Sequence, residues 1–318
     1  MRMKILEILK NKGGYVSGED MSRELGVSRA AVWKHIKKLR EEGFDISSVS
    51  NKGYLLSEIE SDLSEKEILS RLDTEFIARK IVYINSVDST NEEAKRHSDY
   101  PEGSLFIAEN QTAGKGRLGR TWESERFAGI AMSLLLKPNI PIEKISQLTL
   151  IAGIAAARAI GGDALIKWPN DIVIGTRKVC GILTEMSAEP ERVNYVVCGM
   201  GINVNNKSFP DELSDKATSV FIERGEKLNR ADIVSAVMNE FEKVYKTFKK
   251  DGFAPLADEY KSLCLTVGRD VRVMYADKEI VGLCTGIDEN GGLIVATNDG
   301  TVNITSGDVS VRGMYGYV

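Results

Sequence analysis

Between Ala164 and Met186 the chain reads ALIKWPNDIVIGTRKVCGILTEM, three apolar runs separated only by Pro169 with Asn170 and then by Gly175 with Thr176. Neighbouring parallel strands need a crossover of about a dozen residues or more, so runs this close can pair only as antiparallel neighbours. Strand-like GIAMSLLL (129–136) and NYVVCGMGINV (194–204), an apolar helical stretch around Ile145 to Ile160, and a strongly helical segment from Ala231 to Lys250 complete the region. The expected result is a mixed sheet with helices, not a doubly wound parallel fold.

A second stretch carries chemistry. QTAGKGRLGRTW, Gln111 to Trp122, interleaves Gly114, Gly116 and Gly119 with Lys115, Arg117 and Arg120. Glycines let main-chain amides approach a ligand closely, and Arg and Lys supply charge-assisted bonds to phosphate or carboxylate oxygens. The glycines also spell GxGxxG, but the dinucleotide reading requires a helix opening at the loop and an acid about 20 residues on. Here Trp122 and a strand follow instead. A P-loop fails because Arg120 stands where lysine is required. A merely solvated basic loop explains the cations but not the glycines, nor Gln111 and Trp122 at the ends. Upstream, KIVYINSV predicts a strand that delivers Asp88, Ser89, Thr90 and Asn91 to a helix start. Those small polar residues either cap the helix or face a polar uncharged ligand; locally the two readings are equivalent. Lys167 and Lys178 lie on or beside apolar strands, where a lysine requires a partner. Lys178, next to VCGIL, is placed to aim a cation at the glycine loop.

At 318 residues with 42% hydrophobic content, two or three domains are expected. Cys180, Cys198, Cys264 and Cys284 show no CxxC spacing and there are only two histidines, so no metal site is predicted and the cysteines read as reduced thiols. The start, MRMKILEILKNKGG, is too short and charged for a signal peptide, and no run reaches membrane-spanning length; a cytoplasmic protein with no membrane partner is expected. Residues 1–57 hold 11 Lys/Arg against 7 Asp/Glu, a balance of +4, which leaves −8 for the rest of a chain of net charge −4. A basic module ahead of an acidic body raises the question of nucleic acid.

That module begins with the apolar helix KILEILK. Ser17 caps a second helix, with Met21 and Leu25 on one face, Gly26 turns the chain, and Ser28 caps SRAAVWKHIKKLREEG. On this third helix Val32, Ile36 and Leu39 form an apolar stripe, while Arg29, Trp33 and Lys37, beside Ala30 and Lys34, form the opposite one. FDISSV and GYLL, joined across Ser50, Asn51, Lys52 and Gly53, predict a hairpin wing. Helix, turn, basic helix and wing describe a winged helix-turn-helix, with Ser28, Arg29, Ala30, Trp33, Lys34 and Lys37 as the DNA-binding face. The acidic SEIESDLSEKE, in which Ser64 and Glu67 make a capping pair, sets a boundary near residue 60. From about Leu265 the text becomes short β segments with ENGG and NDG turns, predicting a small barrel. The division is 1–60, 61–264 and 265–318.

STNEEAK, QTAGKGRLGR, KWPND, RKVCGIL and GMGINV, in that order behind a winged helix, resemble the bifunctional bacterial biotin protein ligase and biotin operon repressor family over essentially the whole chain. The resemblance implies an α+β multidomain fold: winged helix, a central mixed sheet of the biotin/lipoate ligase and class II synthetase-like type, and a C-terminal SH3-like barrel. It implies that biotin and ATP, with Mg2+ accompanying the nucleotide and no metal ligand from the protein, give biotinyl-adenylate. Biotin then passes to a lysine of the biotin carboxyl carrier protein of acetyl-CoA carboxylase. Carried over residue by residue, Ser89, Thr90, Asn91 and Gln111 hold the ureido ring, and backbone groups at Lys115, Gly116 and Arg117 enclose the carboxylate. Lys178 bridges carboxylate and α-phosphate, with Arg117 the second catalytic cation; Arg117, Arg120, Trp122, Lys178 and Asn203 serve ATP. The family usually has arginine where this chain has Lys115, which keeps charge but loses the bidentate fork. The resemblance further implies operator DNA as a partner and a homodimer in the adenylate-bound state; the strand containing Asn194 to Val197 is the candidate exposed edge for pairing with a second copy. Two other functions fit parts of the chain: a ligand-sensing transcription factor without ligase activity, and a lipoate-type acyl-adenylating ligase.

Overall fold

The first 56 residues build three helices and a hairpin because their apolar positions recur at helical spacing and small polar residues stop and start the turns. α1 (Arg2–Lys12), α2 (Gly18–Leu25) and α3 (Arg29–Glu41) are followed by β1 (Ile46–Val49) and β2 (Gly53–Leu56). Ser17 Oγ accepts from the Asp20 amide at 3.0 Å, Gly26 takes φ 66°, and Ser28 Oγ accepts from the Ala31 amide at 3.2 Å. Ile5, Leu9, Met21, Val32, Ile36 and Leu39 make the core. β1 and β2 pair antiparallel, and reciprocal 2.8 Å bonds between Val16 and Tyr54 tie the wing to the helices. Gly53, at φ +100°, lies so close to the Val16 carbonyl that no side chain fits there.

The computed structural model describes residues 1–41, 44, 46–50, 52–56, 62–189, 192–275, 278–305 and 309–313. It divides into two compact units, Met1–Ser61 and Asp62–Val318. Asn51 of the expected wing turn and 57–61 of the expected linker lie outside the described residues.

The second unit opens with α4 (Glu65–Leu69), capped by Ser64 Oγ on the Glu67 amide. Then come β3 (Ile81–Ile84), α5 (Thr90–Arg96), β4 (Leu105–Ala108), β5 (Ile130–Leu136), α6 (Gln147–Ile160), β6 (Ala164–Lys167), β7 (Asp171–Ile174), β8 (Arg177–Glu189) and β9 (Arg192–Ile202). The seven strands run in the order β3-β4-β5-β9-β8-β7-β6. Only β3 and β4, linked through α5, are parallel; β6 to β9 form the antiparallel meander that their short turns require. After α7 (Asp211–Ser214) and α8 (Val220–Arg224), the long α9 (Arg230–Asp251) packs against the almost wholly buried α6, which itself lies on this sheet. Two buried charged groups anchor α9. Arg230 donates to Asp62 Oδ1 at 2.8 Å and to Glu109 Oε2 at 2.9 Å, and Glu242 accepts from the amides of Glu75, Phe76 and Ile77.

α10 (Ala257–Leu263) leads to β10 (Asp270–Tyr275), β11 (Lys278–Ile287), β12 (Leu293–Thr297), β13 (Gly300–Ile304) and β14 (Val309–Gly313), an antiparallel sheet in the order β13-β12-β11-β10-β14. Its inward Val271, Val273, Leu293 and Val295 join the core of the larger sheet. Trp168 Nε1 donates to the Gly291 carbonyl at 3.0 Å and fixes the WPND turn to this module.

One expectation is corrected. The strand containing Asn194 to Val197 is not a sheet edge, because β9 lies between β5 and β8. The β5 pairing ends at Leu136↔Val196, so only Arg192–Tyr195 run past it, still paired to β8.

Candidate functional site

The pocket is built on two strands that carry glycine where a side chain would fill it. Gly181 pairs with Gly201, and two residues along, Leu183 pairs with Gly199. Alternate residues share a face of a strand and lie roughly 6.6 Å apart, which gives the floor two levels. A Cβ on Gly199 would strike the Asn91 side chain, and one on Gly201 would strike the Trp122 ring. A Cβ on Gly181 would stand 2.8 Å from Lys178 Nζ and 2.9 Å from Trp122 Cζ3. Glycine inside a strand marks close approach by another group; that signal was present in GIL and GMG.

At the Gly199 level the groups are polar and uncharged. Ser89 precedes α5 but makes no side-chain cap bond, so capping does not account for it. Thr90 donates its amide to Gln111 Oε1 at 2.8 Å, with its hydroxyl 3.1 Å from the same oxygen. Ser133, fully buried on β5, places its hydroxyl 2.6 Å from Asn91 Oδ1 and 2.7 Å from Thr90 Oγ1. Asn91 Nδ2 donates to Glu185 Oε2 at 2.7 Å and to the Leu183 carbonyl at 3.3 Å. Because a carboxylate only accepts, this network turns Asn91 Oδ1 toward Ser133 and Gly199.

At the Gly181–Gly201 level the groups are cationic. β7 and β8 slip register between Ile172 and Val173, and such a bulge re-aims side chains. Lys178, at this irregularity, is clamped by its backbone to Lys216 O and the Thr218 amide, and its Nζ lies 2.6 Å from Asp171 Oδ1 and 5.3 Å from the Trp122 ring centre. Arg117 donates to Asn170 Oδ1 at 2.7 Å. Burial pushes the neighbouring Lys167 ammonium down to about 8, against the pull of Asp171. Met132, Ile182, Leu183 and Met200 supply the apolar lining.

The glycine loop is a small hairpin. Trp122 N donates to Gly114 O at 2.9 Å, Gly116 N to Arg120 O at 2.7 Å, and Arg117–Gly119 form a single tight turn at the tip. A Cβ on Gly114 would collide with the Trp122 carbonyl. The Gly116 amide is therefore used within the loop. The Lys115 side chain turns to Glu92 on α5, Nζ to Oε1 2.6 Å.

The structure thus brings Ser89, Thr90, Asn91, Gln111, Lys115, Gly116, Arg117, Trp122 and Lys178 around one cavity, with Asn170 and the glycines as lining that sequence reasoning missed. Arg120 and Asn203 are not part of that lining. Arg120 is exposed at the loop's far side, and Asn203 is buried with its Nδ2 donating to Thr218 O at 3.1 Å, bracing the segment behind Lys178. Burial pushes the Cys180 thiol up and Cys198 up to about 12, so neither carries a thiolate. Among the described residues no group of three or more His, Cys, Asp or Glu is placed to hold a metal ion.

In the first unit, Ser28 just ahead of α3 and Arg29, Ala30, Trp33, Lys34 and Lys37 on it are all exposed, opposite the buried stripe. Trp33 is 56% exposed and Lys37 Nζ lies 6.0 Å from its ring centre. Arg29 reaches Glu19 only at 3.4 Å, with both side chains open to solvent.

A helix-turn-helix unit, a mixed sheet carrying a pocket graded from polar to cationic, and a β-rich C-terminal module define a biotin/lipoate-type protein ligase with a DNA-binding unit. The Biotin/lipoate A/B protein ligase family matches residues 83–203, an HTH domain matches 2–55, and the Biotin protein ligase C terminal domain matches 266–312. The chain is 41% identical to the bifunctional ligase/repressor BirA of Bacillus subtilis, covering 98% of each, and 33% identical to that of Escherichia coli, covering 98% and 97%. It is similar in structure to the biotin protein ligase of Aquifex aeolicus in complex with biotin and ATP, with TM-score 0.67 and 31% identity over 74% of this chain and 99% of that one. The chain belongs to the bifunctional ligase/repressor family. No helix among the described residues is long and apolar enough to cross a membrane.

Proposed function

We propose that the chain condenses biotin with ATP to biotinyl-5'-AMP and pyrophosphate, transfers biotin to a lysine of the biotin carboxyl carrier protein, and represses biotin genes with the adenylate as corepressor. The observation that carries the first half is the order of groups over the glycine floor: a polar uncharged end at Thr90, Asn91 and Gln111, an apolar strip, and a cationic end at Lys178 and Arg117. Biotin presents the same order, a ureido ring, a hydrocarbon chain and a carboxylate. Lys178 and Arg117 lower the repulsion between carboxylate and triphosphate while a carboxylate oxygen attacks the α-phosphorus and pyrophosphate leaves. The carrier amine then attacks the acyl carbon and AMP departs. Trp122, over Gly201, offers a flat apolar face to the nucleotide, and Arg120 supplies charge from outside the cavity. Mg2+ enters with ATP and supplies charge to the triphosphate, while Asp171 lies 2.6 Å from Lys178 Nζ.

The modules 1–60, 61–264 and 265–318 then divide DNA binding, chemistry and support, in a protein placed in the cytoplasm with its carrier and operator. One recognition helix makes few base contacts, so two copies on a palindrome are required, and adenylate acts by favouring that dimer. If so, DNA must tighten adenylate binding by the same factor.

Exchange of labelled pyrophosphate into ATP is the test. Biotin-dependent exchange supports the proposal, lipoate-dependent exchange replaces it with the lipoate reading, and no exchange with either leaves only a ligand sensor. Sedimentation and operator titration with biotin plus ATP test the dimer, which falls if neither association nor DNA affinity changes.

A further inference from the structure

Four charged side chains run in a strip from the glycine loop to the polar end of the pocket. Lys115 Nζ lies 2.6 Å from Glu92 Oε1, and Lys95 Nζ lies 2.8 Å from the same oxygen. Lys95 also reaches Glu185 Oε1 at 2.7 Å, while Glu185 Oε2 accepts from Asn91 Nδ2 at 2.7 Å. Glu92 and Lys95 are on the pocket's own helix α5, Glu185 is on β8, and Lys115 alone comes from the loop. Glu92 takes two ammonium groups on one oxygen, which holds its carboxyl below the ordinary range, Lys115 being the larger cause.

The geometry points to Glu92 as the positioning residue that fastens the glycine loop over the pocket. It holds Lys115, while Lys95 and Glu185 hold Glu92 in register with Asn91. The base of the loop is bonded to its surroundings, Thr112 N to Val87 O, Ala113 N to Asp88 O and the Thr90 amide to Gln111 Oε1, whereas Gly116 and Trp122 bond within the loop and Leu118 at the tip is 57% exposed. Arg117 to Asn170 is a second hold, on the opposite side of the cavity. Beyond its base, the loop is thus held by Lys115 and by Arg117, and each hold leads to one end of the graded pocket. Asn91 is presented as an acceptor because Glu185 consumes its donor, so one strip of charge sets both the position of the loop and the face of the amide that a ligand meets. Lys115 contributes through this side-chain pair, separately from any backbone contact. Glu92 touches no reacting atom; its effect is on how long a ligand stays enclosed, which appears in release rather than in the chemical step.

This inference rests on the pocket being the biotin site, and the test separates the two. Arginine-specific proteolysis of the ligand-free protein after Arg117 and Arg120 reads loop opening directly, because cleavage tracks the open population when closing is fast. Glu92→Gln is expected to speed that cleavage about two- to five-fold, the range of a partly exposed ion pair. The gain should shrink in about 1 M salt, where screening acts within about 3 Å. Lys115→Met should do the same, and the double variant should be no faster than either single one. In the full enzyme, biotin dissociation should rise by a similar factor in Glu92→Gln while single-turnover adenylate formation at saturating biotin moves less. Cleavage and release at wild-type rates in a folded Glu92→Gln, or single effects that multiply in the double variant, would overturn the fastening. Faster cleavage in a protein that takes up no biotin would uphold the fastening and remove the biotin reading instead.

Discussion

Replacing Lys178 removes a cation that the fold has aimed with unusual care: a register slip turns it inward, its backbone is bonded to 216–218 on both sides, and Gly181 leaves room for its tip. A unit charge at about 4 Å in an effective dielectric near 20 is worth about 4 kcal/mol, and deleting one preorganised donor typically slows catalysis about 10²- to 10³-fold. Lys178→Met should therefore slow adenylate formation by about that factor. The structure adds a second term. Asp171, 2.6 Å from the ammonium and 13% exposed, would be left facing two incoming anions. Neutralising it in Lys178→Met/Asp171→Asn should recover roughly tenfold, since a partly buried carboxylate that has lost its ammonium costs more than an absent pair, even with Asn170 Nδ2 still 3.2 Å from Asp171 Oδ1. Single-turnover formation of labelled adenylate at saturating biotin and ATP is the assay, with circular dichroism to confirm folding. A folded Lys178→Met within about threefold of wild type, or a double variant slower than the single one, would refute this reasoning.

Gly201→Ala should displace the Trp122 ring and raise the KM for ATP more than that for biotin, whose polar end lies one level away at Gly199; equal effects would sink the assignment of Trp122 to the nucleotide. Burial raises the pKa of Glu242, but the amides of residues 75–77 and Lys246 outweigh it and hold the carboxyl at about 2. Its stabilisation is therefore present above about pH 4.5 and lost as pH falls toward 2. Glu242→Gln should cost roughly 1 to 3 kcal/mol at pH 7, less than the full shift because solvent screens part of it, with the gap closing in acid; urea unfolding with a pH-independent gap would contradict this. A chain starting near Asp62, retaining the Arg230 contact, should fold and biotinylate while losing salt-dependent DNA binding; strong salt-dependent binding by the fragment would place the DNA site elsewhere.

What was legible in the sequence is what short-range chemistry decides. Turns of two residues forced β6, β7 and β8 to be antiparallel, Ser17 and Ser64 capped the helices they precede, and Gly114 sits where a Cβ would meet its own hairpin partner. Lys115, Arg117 and Ser89–Asn91 also line one cavity, whereas Arg120 does not. Ser133 and Glu185 escaped because nothing around them in the chain differs from ordinary strand. Ser133 is one hydroxyl in an apolar run, and it meets Asn91 only because β5 lies in the middle of the sheet, 42 positions away in sequence. Asn203 is the converse case: its motif neighbours Gly199 and Gly201 line the cavity, but its own amide is consumed by Thr218, a partner no local pattern indicates.

Strand order is the deeper gap, and β9 shows why. Alternation and composition report which faces of a strand are buried, and the apolar Val196 to Cys198 and Met200 are buried here. They carry no information about which strands flank it, because backbone hydrogen bonds are the same for any neighbour of suitable register. An open mixed sheet must end in an exposed strand, and the one containing Asn194 to Val197 was the candidate; Asn194 and Tyr195 lie where the β8–β9 hairpin outruns β5 beyond Leu136↔Val196. Interior in its middle and uncovered on one side at its start, β9 is both kinds of strand at once. A seam between two copies that uses β9, rather than the outer strands β3 and β6, has the four residues Arg192–Tyr195 to work with, too few for backbone pairing alone to hold a dimer. Side chains or loops ordered by the ligand must supply the rest, which is the arrangement that would make assembly depend on an occupied pocket.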